Sequence, residues 1–73
     1  MTFSEVSQPY RDQFGNPDQT LNIPLDDELY IQWYWYKVDV VAEFVAPEDN
    51  TESGWELSFA LSLAPLKYHR EDG

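Results

Sequence analysis

The sequence contains no cysteine. Disulfides and thiolate metal sites are therefore both excluded. It has one histidine, His69, in a charged C-terminal stretch. A Ser–His or Cys–His nucleophile pair needs a positioned imidazole, and His69 reads as solvated surface. Only three glycines are present, and none forms the Gly-rich loop that cradles a phosphate. No uncharged apolar run approaches the roughly 18 residues of a membrane span. The N-terminus shows no basic region followed by an apolar stretch, so no signal peptide is expected.

Bases are scarce too. Four Lys and Arg oppose fourteen Asp and Glu, a net charge of −10. Eleven of the acids lie between Asp12 and Glu56, a span whose one base is Lys37. Such a field repels nucleic acid and anionic membrane and attracts basic proteins. Solubility alone also accounts for an acidic surface, and that reading stands beside the functional one.

What the chain has is aromatic side chains. With 73 residues it is expected to form a single small domain, 1–73, with a polar tail at 69–73. So short a chain buries a modest share of its surface. Large aromatics compensate, because each removes much apolar area from water. A content of 42% hydrophobic and 16% aromatic residues argues against a disordered chain.

Met1 to Phe14 has mixed polarity and little pattern. Gly15-Asn16-Pro17-Asp18 is a turn signal, which suggests a hairpin pairing 10–14 with 19–23. Pro24 followed by Asp26, Asp27 and Glu28 resembles a helix start, and Leu25, Leu29, Trp33 and Tyr36 also fit a helical stripe. The composition of 29–46, rich in Tyr, Trp, Ile and Val, favours strand, with room for a turn of helix near 25–30.

The alternation within 29–46 changes phase. Leu29, Ile31, Trp33 and Trp35 are odd; Val38, Val40, Ala42 and Phe44 are even. With a side-chain period of two, the buried face switches near Tyr36-Lys37. A straight strand of that length would reach roughly 56 Å, against a radius of gyration of about 11 Å for a globule of this size. Since no Gly, Pro or Asn marks a tight hairpin at 36–37, a bulge or a sharply coiled strand is expected there.

After the polar loop 46–54, Trp55, Leu57, Phe59, Leu61 and Leu63 alternate with small and polar residues. This reads as a half-buried strand ended by Pro65 and paired antiparallel with 38–45. Leu66 to Tyr68 would add a short extension. The expected core is Trp33, Trp35, Val38, Val40, Phe44, Trp55, Leu57, Phe59 and Leu61. The fold class expected is all-β: a small antiparallel, strongly bent sheet or a partly open five-stranded barrel.

Tyr30, Tyr34 and Tyr36 share the wetter face of the first strand. Bordered by Asp26, Asp27 and Glu28, they form a candidate binding patch. The competing reading is that Phe3, Val6, Tyr10 and Phe14 of the N-terminal segment cover them. Asp49 to Gly54 weakly resembles the start of a calcium loop, but its twelfth position would be Ala60, which cannot ligate. No metal site and no cofactor are expected, and no catalytic residue is identified.

The acid clusters Asp26-Asp27-Glu28 and Glu48-Asp49 with Glu52 remain. Carboxylates spaced on a rigid fold can imitate phosphates and occupy a basic groove. In charge and size, though not in motif, the chain resembles small phage-encoded inhibitors and nucleic-acid mimics. The function expected is a non-enzymatic acidic binding protein, an inhibitor that covers the nucleic-acid-binding surface of a basic partner such as a nuclease or a defence complex. Its contact residues would be those six acids with Tyr30, Tyr34 and Tyr36. Its location would be cytoplasmic, in a host cell if phage-encoded. Direct nucleic-acid and membrane binding are not expected. The alternative is an assembly protein that adds strands, or copies of itself, at an exposed sheet edge.

Overall fold

The computed structural model describes residues 1–62. Helix α1 spans Phe3–Phe14 and is followed by strands β1 (Gln19–Leu25), β2 (Glu28–Trp35), β3 (Val40–Pro47) and β4 (Glu56–Ser62). The strands form one antiparallel sheet in chain order, β1-β2-β3-β4. The expected small antiparallel sheet is therefore present. It has four strands and stays open, with β1 and β4 as its edges among the described residues, and it carries one short helix.

The helix replaces the hairpin expected at 10–14. Its start is encoded by Thr2-Phe3-Ser4-Glu5. The Thr2 hydroxyl accepts from the Glu5 N–H at 3.1 Å, and the Glu5 carboxylate accepts from the Thr2 N–H at 2.9 Å. This reciprocal cap satisfies two backbone donors that a helix start otherwise leaves open. Phe3, Val6, Ser7, Tyr10 and Phe14 recur at helical spacing and turn to the sheet. Pro9 sits inside the helix, where a missing N–H is normally costly. Gly15, at φ 80°, ends the helix and donates its N–H to Arg11 O. No helical turn forms at 25–30.

The phase change at Tyr36-Lys37 is real, but its cause is a chain reversal. Positions 29–46 form two strands, β2 and β3, joined by a turn at 36–39. Trp35 pairs with Val40, Trp33 with Ala42 and Ile31 with Phe44. Odd residues of β2 thus share a face with even residues of β3. Asp39, at φ 55°, takes the left-handed position that closes the turn. Asp tolerates that region better than most residues, so neither Gly nor Asn is needed. At the other end, Asp26 (φ 57°) and Asp27 make a two-residue hairpin between Leu25 and Glu28.

The core lies between α1 and the Trp-bearing face of β2 and β3. Trp33, Trp35, Ala42, Phe44, Ala46, Trp55 and Val6 are buried together. Phe3 sets its ring edge-on to Trp33, Phe44 and Trp55, with centroids 5.0–5.4 Å away. Aromatic pairs favour such edge-to-face contacts. The indole N–H groups of Trp35 and Trp55 donate to Gly15 O and Thr51 O, so burying these rings strands no donor.

Four expected core residues are not core. Val38 is exposed in the 36–39 turn, and Leu57, Phe59 and Leu61 are also exposed. The β3–β4 register slips between Glu43 and Phe44. Glu43 pairs with Phe59 and Phe44 with Leu57, so Ser58 has no opposite number. This bulge reverses the facing of β4. Leu57 shares the helix side with Phe44, while Phe59 and Leu61 pair with Glu43 and Val41 on the other face. The expected Leu63, the stop at Pro65, the 66–68 extension, His69 and the 69–73 tail lie outside the described residues.

Candidate interaction surface

The helix covers one side of the sheet only. The N-terminal aromatics therefore do not cover the tyrosines; they pack on the Trp side. The register defines what stands on the open side. Leu21, Gln32, Glu43 and Phe59 form one row across the four strands. Ile23, Tyr30, Val45 and Glu56 form the next toward the 26–27 turn. Gln19, Tyr34, Val41 and Leu61 form the next toward the 36–39 turn. Paired residues on one face stand about 5 Å apart, so these rows make a continuous platform. Leu21, Ile23, Phe59 and Leu61 retain 36–46% of their exposure on it.

Polar groups at its centre are linked. Tyr34 Oη donates to Gln32 Oε1 at 3.0 Å, and Gln32 Nε2 donates to Glu43 Oε1 at 2.9 Å. Tyr34 stacks on Tyr36 at 6.2 Å, and Tyr36 Oη donates to Gln19 Oε1. Tyr30 Oη donates to Glu28 Oε1 at 3.0 Å. That hydrogen bond, then partial desolvation and the charges of Glu28, Glu43 and Asp26, push the Tyr30 hydroxyl above the usual tyrosine range.

The acid clusters meet at one end of the sheet. The Glu48 N–H donates to Asp27 O at 2.7 Å, tying the β3–β4 loop to the β1–β2 turn. Asp27, Glu28, Pro47, Glu48 and Asp49 line a cleft of about 560 Å³ there. Asp26 stands at the tip of the turn. Glu52 lies farther along the loop, beside Ser53, whose carbonyl accepts from the Met1 amino group. Tyr30 is near the acid end, whereas Tyr34 and Tyr36 lie toward the opposite end, with seven residue steps, about 23 Å, separating the two ends of β2.

The nine residues singled out from the sequence thus fall into an acid-rich end with Tyr30 and a Tyr34–Tyr36 pair at the far end, joined by the open face. Leu21, Ile23, Gln32, Glu43, Phe59 and Leu61 were not singled out. Alternation in β1 could have flagged Leu21 and Ile23. The facing of Phe59 and Leu61 depends on the bulge, which no sequence signal marks.

Among the described residues, no group of three acids or histidines is placed to hold a metal ion, and no helix is long and apolar enough to cross a membrane. The arrangement presents carboxylates, phenols and apolar rings, which together suit recognition of a cationic, partly apolar surface. No family model, no curated protein and no solved structure matches the chain.

Proposed function

We propose that the protein is a non-enzymatic acidic inhibitor that occupies a basic, nucleic-acid-binding surface of a target protein. The observation that carries this reading is the 2.7 Å Glu48–Asp27 backbone bond. It gathers carboxylates distant in sequence onto one end of the sheet, next to a face that the helix leaves open. Twelve acids and two bases, Arg11 and Lys37, stand in residues 1–62, so the field around that end attracts cationic surfaces over a Debye length.

The test is affinity capture with the full chain, salt-stepped elution, and competition by nucleic acid for the captured partner. The expected partner is basic, leaves as salt rises, and is displaced by its own nucleic acid. The triple substitution Asp26→Asn, Asp27→Asn, Glu28→Gln should reduce its recovery. A partner that resists salt and binds the triple variant equally well would refute the reading.

One observation favours a second reading, assembly through a strand edge. Edge strand β4 is exposed along its length, including Leu57, Phe59 and Leu61, and such edges invite added strands. Recovery of only further copies of the chain would support it.

A further inference from the structure

We infer that Glu43 is the anchor for an arginine side chain of a basic partner that docks on the open face of the sheet. This rests on the proposed reading for the sign of the partner's charge, and adds the contact face, the anchoring residue and the chemistry it selects.

Glu43 sits in the central row of the platform, on interior strand β3. Gln32 and Phe59 flank it across the sheet, Val41 and Val45 along its strand, and Tyr30, Tyr34 and Leu61 stand diagonally. Glu43 is half-buried as a residue, and its carboxylate accepts a hydrogen bond from Gln32 Nε2. One amide donor leaves most of the acceptor sites of a carboxylate open. Neither described base serves it. Arg11 lies over Trp33 at 5.1 Å on the helix side, and Lys37 is in the 36–39 turn at the end of the sheet.

A partner that covers this face desolvates Glu43, and a buried unpaired carboxylate is costly. The partner must therefore bring a cation to that point. The surroundings select arginine over lysine. A guanidinium forks onto a carboxylate and lays its plane against aromatic rings, and Tyr30, Tyr34 and Phe59 stand around Glu43. Apolar residues ringing a charged centre are the arrangement in which one contact carries much of the affinity. A second copy of the chain is a poor occupant, because it would bring a net charge of −10 and its own Glu28, Glu43 and Glu56 against the same three acids.

The test uses the full chain, an oligo-arginine peptide and an oligo-lysine peptide of equal length, at near-physiological salt. Binding is measured by anisotropy and mapped by amide chemical shifts. Glu43→Gln keeps the shape and should weaken the oligo-arginine complex about 10- to 100-fold, the range for a charge-assisted hydrogen-bonded pair. Asp12→Asn removes the same charge from the exposed side of α1, where its carboxylate only accepts from Gln8, and should cost less than about threefold. Oligo-lysine should distinguish the two variants far less. Shift changes should centre on residues 21, 30, 32, 34, 41, 43, 59 and 61, and unchanged unfolding midpoints should confirm that both variants fold. Equal losses for the two variants, or shifts confined to 26–28 and 48–52, overturn the inference while leaving the acidic-inhibitor reading standing. Failure of both peptides to bind overturns both. A concentration-dependent dimer tightened by Glu43→Gln overturns it in favour of a second copy.

Discussion

Two phenylalanines that look alike in the sequence should respond very differently to truncation. Phe44 has no exposed surface. Its ring meets Phe3 and Trp33 at 5.4 Å and Tyr10 at 5.7 Å. Phe44→Ala should therefore cost about 3–5 kcal/mol, transfer and cavity together. Phe59 keeps 41% of its surface exposed on the open face. Full burial of a phenylalanine contributes about 1.5–3 kcal/mol, so Phe59→Ala should cost about 1–2 kcal/mol. The whole domain is expected to hold about 4–11 kcal/mol, so Phe44→Ala could unfold it; Phe44→Leu, losing about 1–2 kcal/mol, then serves as the core variant.

The assay is urea unfolding read by tryptophan fluorescence. Trp33, Trp35 and Trp55 are all buried in the core, so the signal follows its loss. With a slope near 1 kcal/mol per molar urea, the Phe59→Ala midpoint should fall by about 1–2 M and the Phe44→Ala midpoint by about 3–5 M. An equal fall for both would refute the open face, because Phe59 would then be covered in solution. Dependence of the midpoint on protein concentration would identify another copy as the cover.

Gly54→Ala should lower stability by about 1–3 kcal/mol in the same titration, as overpacking does: a Cβ there would stand 2.6 Å from the Asn50 carbonyl oxygen and 3.0 Å from Pro47 Cδ. Two hydroxyl- and carboxyl-bearing residues shape the pH profile of thermal melting. Hydrogen bonds from the Thr2 backbone and hydroxyl hold the Glu5 carboxyl below its usual range, so its contribution is present above the unfolded value and disappears as pH falls through the folded one. The difference between wild type and Glu5→Gln should accordingly shrink in acid. Tyr30 is shifted upward, chiefly by its bond to Glu28; its contribution is lost as pH rises from the unfolded value through the folded one, and Tyr30→Phe should flatten that alkaline limb.

Much of the sheet was legible because strand periodicity is a local signal. The change of phase at Tyr36-Lys37 marked a true reversal of the chain rather than the switch of buried face it suggested, and the 38–45 strand does pair with the one after the loop. The turn itself was missed because Asp39 fills a left-handed position usually signalled by Gly or Asn. Helix α1 was missed for the opposite reason. Its capping sequence, Thr2-x-x-Glu5, and the spacing of Phe3, Val6, Tyr10 and Phe14 are local and readable, but Pro9 and the mixed polarity obscured them. For the candidate surface, the acid clusters could be named from composition, whereas their meeting through Glu48 and Asp27 depends on residues twenty-one positions apart.

The sequence by itself determined the charge, the absence of thiol and Gly-loop chemistry, and the aromatic supply for a small core, because these are properties of composition. It also determined most strands, since their period of two is written along the chain. Tertiary structure alone decided which face the helix leaves open among the described residues. That choice follows from where α1 packs, from the hairpin register that sets Trp33 against Ala42, and from the slip at Glu43 and Phe44 that turns Phe59 and Leu61 away from the helix. Each is a matter of which distant residues stand opposite one another, and a one-residue shift in register moves a strand's side chains to the other face.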